Sequence, residues 1–542
     1  MRFIIQDYLE SLLERQELDA ILPDLLRAKS FEVVKLAFRG EVEHGVDIAA
    51  YGEEDGEEVL YLIQVKAGDI DKQMWDAGPN SVRATLNNLL DVPFQDLTDP
   101  RLRDAEKKAI LAHNGGIREN IRARFNGYLD AEFTPRMNFE RWGIDRLAND
   151  VEKYLLNERI LPKSYQRLLK RSLVFLDVPD YNLEDFKKLI KSVLPASKRI
   201  SKQQRQRFFG FTRIILELIH KQCEEQNDIS PSLEAYEYTL LTIWGWMYSR
   251  NLFSKKISEE FIKTYIRYVA TLIEWFKKIE PALQIQDGLA YIGAEQVEYP
   301  MRTFKVIGNI SLLSIILAYD FTETMADLYK ESIEALRNLL KNNNSRHRPL
   351  LDNHSIDIFL GMWAFILVGR IEIPRDWLED IFEHLVIRKR IYNRLPEMNN
   401  NIDAVIEFEA TDERPIGYVD SSSTLIYMLF EFCLVLDAED VYLKYRPEFE
   451  DVNLQIWYPP DNVEEILYER EVHEGDTEVV IRLPESFEDF RLDVEARHNR
   501  DKSDYSPIQN GAPAILLLAN KYFRTPVFPF WWRSVIYQQE DE

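Results

Sequence analysis

Three polar residues, Asp47, Gln64 and Lys66, have the types and spacing to serve a phosphodiesterase. Hydrolysis of a phosphodiester needs a cation that offsets charge on the phosphate and generates a hydroxide-like nucleophile. Asp47 would be the central carboxylate ligand, and the Gln64 amide oxygen a neutral one, because Mg²⁺ prefers hard oxygen ligands. Lys66 would orient the attacking water and counter the developing negative charge. The pattern also occurs by chance, so its weight depends on the elements that position it.

A β-hairpin would bring the three residues together. The segments on either side of Asp55-Gly56 are rich in β-branched and aromatic residues, and this dipeptide is a strong two-residue turn signal. With that turn, Asp47 lies opposite Gln64, and the two-residue period of a strand places Lys66 on the same face. Cross-strand neighbours have Cβ atoms about 5 Å apart, so the register alone predicts one polar cluster. The opposite face carries the apolar residues Ile48, Ala50, Ile63 and Val65.

The first 155 residues have the pattern of an α+β domain with a mixed central sheet flanked by helices. Helices are predicted through residue 28, from Pro79 to about residue 90, from NGGI to about residue 129, and over 144–156. The predicted strands are FEVVKLAF (31–38), VDIAAY (46–51), VLYLIQVKA (59–67), KKAILAH (107–113) and FTPRMNFERW (133–142).

This order of elements resembles the PD-(D/E)xK nuclease superfamily, and within it the Mrr-like restriction endonucleases with a QxK variant. The resemblance covers about residues 15–155 and rests on LDAILPDLLRAKSFEVV, HGVDIAAY, YLIQVKAG, AILAHNGGI and WGIDRLA. It implies Mg²⁺-dependent DNA cleavage, with Mn²⁺ able to substitute, by a site containing Asp47, Gln64 and Lys66. The family's first helix carries an acid about a dozen residues before the aromatic that opens the first strand. Counting back from Phe31 gives Asp19 as a further acidic, metal-side residue.

Two positions depart from the family pattern. Pro23 follows Asp19 by four residues and is expected to kink or break the helix. A shifted helix would make Glu17 or Asp24 possible substitutes for Asp19. Ser30 stands where a helix-ending glycine would be easier.

The histidines give little further chemistry. His113, with Asn114, lies at a predicted strand end, and His44 lies near the hairpin; a structural role is expected for His113. The remaining histidines form no HxxxH pair, and none is directly next to a cysteine in the sequence, so a zinc site is not expected. The chain also has no phosphate-binding GxxxxGK loop and no GxSxG nucleophile motif.

The distribution of charge is uneven. The net charge is −25, yet residues 159–213 contain 14 Lys/Arg and 4 Asp/Glu. This segment would contact the phosphate backbone of a nucleic acid without reading its bases, or would be a linker helix pairing with the acidic C-terminal body. The candidate phosphate-contacting residues are Lys198, Arg199, Lys202, Arg205 and Arg207.

The rest of the chain is mostly helical by its apolar spacing. We expect a nuclease domain over 1–155, a basic linker or helical segment over 156–213, a helical regulatory or oligomerisation domain over 214–451, and a mixed α/β part over 452–542. In the last part NLQIWYPP, EVVIRL and FRLDVEA have strand character, and FPFWWRSV is aromatic enough to pack. The longest uncharged apolar run, residues 358–369, is too short to span a membrane, and two distant cysteines fit a reducing, cytoplasmic compartment.

The leading hypothesis is therefore a Mg²⁺-dependent DNA endonuclease with a helical regulatory domain, with RNA not excluded as a substrate. Single nuclease domains of this type cut one strand, so at least a homodimer is expected. By resemblance the architecture suits bacterial restriction or anti-phage defence, with a possible partner protein encoded nearby. The alternatives are an inactive nuclease-fold scaffold or nucleic-acid-binding protein, and a recombination or transposition nuclease subunit.

Overall fold

The chain folds into two compact units, residues 1–235 and 236–542. The predicted boundaries at 155 and 213 both fall inside the first unit. A computed structural model describes residues 1–35, 46–178, 181–197, 200–291, 296–321, 323–457, 462–469, 478–498 and 504–525.

A mixed five-stranded sheet forms the centre of the first unit, in the order β1-β2-β3-β4-β5. The first three strands are antiparallel neighbours, and β3, β4 and β5 run parallel. The mixed sheet of the predicted α+β region is therefore confirmed. The strands are β1 Glu32–Val34, β2 Ile48–Glu54, β3 Glu57–Lys66, β4 Glu106–His113 and β5 Asn138–Trp142.

The β2–β3 hairpin has the register expected from its turn residues. Asp55 and Gly56 have φ angles of 53° and 87°, as a type I′ turn requires at both central positions. Glu54 pairs with Glu57, and the ladder continues to Ile48 opposite Ile63. The turn sequence therefore fixes which residues of the two strands are neighbours.

Helices cover both faces of this sheet. The helices of the first unit are α1 Arg2–Ser11, α2 Asp19–Ala28, α3 Lys72–Asp76, α4 Val82–Leu90, α5 Pro100–Asp104, α6 Glu119–Tyr128, α7 Ile144–Tyr154, α8 Lys163–Val174, α9 Glu184–Val193 and α10 Lys202–Glu225. Leu60 and Leu62 share a buried cluster with residues of α3, α4 and α6. On the other face the Tyr61 ring stacks on Phe31 at 4.5 Å and meets Trp142 edge-on at 5.7 Å.

The structure of this unit differs from three of the local predictions. The N-terminal helical stretch is interrupted after α1, and a π-helical turn, Glu14–Leu18, leads into α2. The expected start of a helix at Pro79 is wrong, because the Ser81 side chain caps α4 and the helix begins at Val82. Pro23 lies inside α2 without ending it.

The basic segment is part of the first unit. Its helices α8, α9 and α10 pack together, and α10 also packs along α1. The Phe211 ring meets the Tyr8 ring edge-on at 5.4 Å, and the Tyr8 hydroxyl donates to the Ile160 carbonyl at 2.5 Å. The segment is therefore built into the same core as the N-terminal helix.

The second unit is mostly helical, as predicted. A further helix, α11 Ser230–Arg250, crosses the boundary between the two units. The other helices are α12 Lys255–Leu283, α13 Glu298–Asp320, α14 Ala326–Asn342, α15 Ser355–Leu367, α16 Glu372–Tyr392, α17 Ile402–Thr411, α18 Thr424–Val435, α19 Glu439–Tyr445, α20 Glu464–Leu467, α21 Phe487–His498, α22 Ser506–Gln509 and α23 Pro513–Phe523.

A small sheet in this unit contains two of the three strands predicted after residue 452. Its strands are β6 Ser422–Ser423, β7 Asn453–Trp457 and β8 Glu478–Ile481. The third prediction, a strand over FRLDVEA, is wrong: these residues lie in α21, where Phe487, Phe490 and Val494 are buried at helical spacing. The aromatic segment FPFWWRSV lies outside the described residues.

The apolar run 358–369 lies mainly in α15, whose residues from Ser355 to Phe365 are buried, as expected for a core helix. One helix among the described residues, α13, has the length and apolar composition to cross a membrane. Its apolar window is 78% buried within the protein, which is how a helix at the centre of a globular unit behaves.

Candidate active site

The Asp47 carboxylate is held against strand β3 by the backbone. Its backbone N–H donates to the Ile63 carbonyl at 3.2 Å, and its Oδ2 accepts the Val65 N–H at 2.8 Å. Val65 lies between Gln64 and Lys66, so the hairpin register brings the predicted carboxylate to the predicted amide and amine.

Gln64 and Lys66 are almost fully covered by the fold, with 1% and 7% of their surface exposed. In the parallel ladder Gln64 pairs with Leu111 and Lys66 with His113. The Lys66 Nζ lies 3.6 Å from the Glu14 Oε1. A covered ammonium needs a nearby negative charge, and Glu14 and Asp47 supply it.

Glu14 is a member of this site that the sequence did not indicate. It opens the π-helical turn Glu14–Leu18, in which the Leu18 N–H donates to the Leu13 carbonyl five residues back. Single π-helical turns are uncommon and are frequent at functional sites. Counting along an uninterrupted helix from Phe31 passes over Glu14, because the helix is broken before it.

Asp19 follows the π-helical turn and opens α2. Its Oδ1 atom is buried and has no hydrogen-bond partner, although buried polar atoms normally have one. Asp19 and Glu14 both act electrostatically on Asp47. An orphaned carboxylate oxygen beside two further carboxylates is the environment that a hard cation would complete.

The two possible substitutes for Asp19 are engaged elsewhere. Glu17 accepts the Leu13 N–H at 2.8 Å and forms an ion pair with Arg207. Asp24 forms an ion pair with Arg27 at 2.7 Å. Among these three acids, Asp19 is the one with a buried oxygen that lacks a hydrogen-bond partner.

The charges at this site are unbalanced. Partial burial raises the pKa of the Asp47 carboxyl above its ordinary value, and Glu14 and Asp19 add to the rise. The Val65 N–H and the Lys66 ammonium oppose it. Asp47 thus interacts with two further carboxylates and one lysine, and this excess of negative charge favours either protonation or a bound cation.

His113 and Asn114 occupy the end of β4 beside the site. Burial lowers the pKa of His113 to about 4, with Arg141 adding to the effect, so the ring is neutral at pH 7. Neither ring nitrogen has hydrogen-bond geometry to a partner, although the Gly68 backbone is near enough to raise the pKa slightly. His44 lies outside the described residues.

Asn114 has a structural role. Its Oδ1 accepts the Gly68 N–H at 2.7 Å, and its Nδ2 donates to the Leu9 and Leu12 carbonyls at 2.7 and 2.9 Å. These bonds join the chain after β3 to the end of α1, and they fix the approach to the π-helical turn.

The five basic residues singled out in the sequence do not share one environment. Lys198 and Arg199 lie outside the described residues. Lys202 is exposed at the start of α10, Arg205 is half-buried, and Arg207 is paired with Glu17. Arg207 therefore supports the π-helical turn in this structure.

Comparison with known proteins gives no relative from which to assign the site. No protein-family model, curated protein or solved structure matches the chain significantly.

Proposed function

We propose that residues 1–235 form a metal-dependent nuclease that hydrolyses phosphodiester bonds in DNA. The observation that carries the proposal is that Glu14, Asp19 and Lys66 all act on Asp47, that Glu14 also pairs with Lys66, and that one buried oxygen of Asp19 lacks a partner. An unpaired buried carboxylate oxygen is costly, and a bound cation would offset that cost.

The donor set fits a hard divalent cation. Asp47 and Asp19 would hold Mg²⁺ or Mn²⁺, with the Gln64 amide oxygen as a neutral ligand and Glu14 as a further acid nearby. When bound, the cation would offset charge on the phosphate and lower the pKa of a coordinated water. The same ion would offset the charges of Glu14 and Asp19, which add to the rise that burial causes in the pKa of Asp47.

Besides the bound cation, the proposed site has a positively charged side chain, Lys66. Held by β3 and by Glu14, its ammonium is fixed next to Asp47. Placed there it donates hydrogen bonds to a water or a phosphate oxygen and stabilises the charge that develops during hydrolysis. Glu14 keeps the ammonium in place before the substrate arrives.

The defining experiment is a cleavage assay with the full-length protein. Plasmid DNA and single-stranded RNA are incubated with Mg²⁺, Mn²⁺ or EDTA, using wild type and Lys66→Ala. Lys153→Ala, an exposed lysine of α7, is the matched control. We expect metal-dependent cutting that is lost in Lys66→Ala and retained in Lys153→Ala. Nucleic-acid binding without cutting by any form would favour the scaffold alternative instead.

The proposed cellular role and oligomeric state follow from this activity. We propose a cytoplasmic enzyme of bacterial restriction or anti-phage defence that acts as at least a dimer, because one such site cuts one strand. Light scattering coupled to size exclusion tests the oligomeric state. Linearisation of plasmid in a single binding event would support paired sites, whereas accumulation of nicked circles alone would contradict them.

A further inference from the structure

A group of basic side chains gathers in the second unit, where α16 packs on the short 3-10 turn Asn344–His347 after α14. The Arg346 Nη2 lies 2.5 Å from the Asp380 Oδ2. The His347 and His384 rings are tilted against each other with centroids 5.1 Å apart. Arg348 follows the turn, directly beside this pair.

The arginines outnumber the carboxylates that could neutralise them. Glu409 forms an ion pair with Arg388 and also lies 3.3 Å from the Arg394 Nη1. The arginines and Glu409 are nearly covered, since only 10% or less of each of these three side chains is exposed. Arg348 is influenced by Glu409, but among the described residues no carboxylate lies within ion-pair distance of it. Glu409 is therefore shared by Arg388 and Arg394, and Arg394 also pairs with Asp412. The Arg348 guanidinium is left without a carboxylate partner among the described residues.

Burial and this positive charge lower the pKa values of neighbouring basic groups. Burial lowers the pKa of Arg348, and Arg388 adds to the effect. Burial, His347, Arg388 and Arg348 lower the pKa of His384 to about 3, so its ring is neutral at pH 7. The His384 Nε2 is buried without a hydrogen-bond partner. A metal cation is disfavoured here despite the two histidines, because the neighbouring charges are positive.

An anion is the ligand that this arrangement fits. A partly buried, unpaired guanidinium is costly unless a counter-charge offsets it, and the planar fork of arginine matches a phosphate with two parallel hydrogen bonds. Tyr392 is near Arg348 and is 51% exposed. Exposed aromatic rings beside basic residues are platforms on which nucleic-acid bases stack.

We propose that the second unit binds a phosphate-bearing ligand between the turn 344–347 and α16, with Arg348 and Arg388 as its cationic contacts. The proposal is independent of the nuclease activity. The phosphate could belong to a free nucleotide or to a nucleic-acid strand, and both present the same chemistry to the arginines.

Calorimetric titration of the full-length protein tests the site. The probes are sodium phosphate, adenosine monophosphate and a single-stranded oligothymidylate, each at ionic strength matched with sodium chloride and in EDTA. Arg348→Gln is compared with Arg375→Gln, since Arg375 is also on α16 but has its own partner, Asp440, at 2.7 Å. We expect saturable binding that weakens about tenfold or more in Arg348→Gln and is unchanged in Arg375→Gln.

Thermal unfolding provides the second measurement. Phosphate should raise the melting temperature of wild type and of Arg375→Gln more than that of Arg348→Gln. Tighter binding of the mononucleotide than of phosphate supports a nucleotide, and tighter binding of the oligomer supports a strand. If Arg348→Gln does not fold, Arg348→Lys keeps the charge without the fork and should still bind more weakly. No saturable binding of any probe at millimolar concentration, or equal weakening in Arg375→Gln, would overturn the proposal.

Discussion

At the scale of single residues, the excess of carboxylates over lysine near Asp47 is what would make the proposed site bind a cation. Burial raises the pKa of Asp47, Glu14 and Asp19 add to the rise, and the Val65 N–H and the Lys66 ammonium oppose it. Like charges brought together in this way raise the pKa of the group they surround. A metal ion would relieve that repulsion, so binding of the ion and ionisation of Asp47 are coupled.

The first prediction is the pH dependence of Mn²⁺ binding. Because the pKa of Asp47 is raised, this carboxyl stays protonated up to a higher pH than an ordinary aspartate and must lose its proton to bind the ion. Affinity should therefore fall as the pH decreases through the raised pKa, earlier than a site of unperturbed aspartates would lose it. Titration calorimetry over a pH series measures this, and a flat profile down to the ordinary aspartate range would contradict it.

At the scale of elements, the β2–β3 hairpin and the π-helical turn together assemble the site. The hairpin register follows from Asp55-Gly56 and places Asp47 against β3. The π-helical turn brings Glu14 to Lys66, and its geometry is secured by the bond from the Leu13 N–H to Glu17 and by the Arg207 ion pair. The hairpin and the π-helical turn, which are separate in the sequence, thus both contribute side chains to the proposed site.

The second prediction concerns the end of α2. Ser30 has a φ of 68°, and the Phe31 N–H donates to the Leu26 carbonyl, which completes a helix-ending motif that usually contains glycine. Ser30→Gly should raise the free energy of unfolding by about 1 kcal/mol, because glycine adopts this conformation without strain. Urea unfolding measures the change. Ser30→Ala, which keeps the strain, should stay within about 0.5 kcal/mol of wild type, and an equal gain there would exclude this explanation.

The third prediction isolates the support of the π-helical turn by Arg207. Arg207→Gln should lower nuclease activity, because Glu17 lies between the two acids Glu14 and Asp19. In a double-mutant cycle with Glu17→Gln, the coupling in stability should be about 1 kcal/mol, less than for a fully buried pair because 37% of the Arg207 side chain is exposed. Additive effects of the two substitutions on both stability and rate would show that the ion pair does not hold the turn.

The sequence could predict those parts of the site that depend on local rules. The turn residues predicted the β2–β3 register, which brings the Asp47 carboxylate to the Val65 N–H between Gln64 and Lys66. The sequence also indicated that Ser30 occupies a position that favours glycine. Glu14 could not be predicted, because no local signal marks a π-helical turn. FRLDVEA in α21 was misassigned since its alternation resembles a strand, whereas tertiary burial of Phe490 and Val494 selects a helix.

At the scale of the whole molecule, the proposed nuclease depends on more than the first 155 residues. Helix α10 packs on α1 and supplies Arg207, and Tyr8 of α1 is fully buried against Phe211 and Ile160. The basic helices therefore stabilise the unit that holds the site. The second unit carries the inferred anion site, at which a phosphate-bearing ligand would bind.

The fourth prediction compares two fragments of the chain. Residues 1–235 should unfold cooperatively, because they contain the contacts of α1 with α10. Residues 1–155 expose Tyr8 and leave Glu17 without its arginine, so we expect no cooperative transition. Circular dichroism during heating distinguishes the two, and matching sharp transitions would show that the shorter fragment is a complete folding unit.

The fifth prediction addresses the central claim through Asp47. We compare the initial rate of plasmid cleavage at saturating Mg²⁺ for wild type, Asp47→Asn and Asp104→Asn, the last an exposed aspartate of α5. Asp47→Asn keeps an acceptor for the Val65 N–H but loses the charge that would hold the cation. We expect a loss of roughly 100-fold or more in Asp47→Asn and a wild-type rate in Asp104→Asn. Cleavage by a folded Asp47→Asn at the wild-type rate would contradict it.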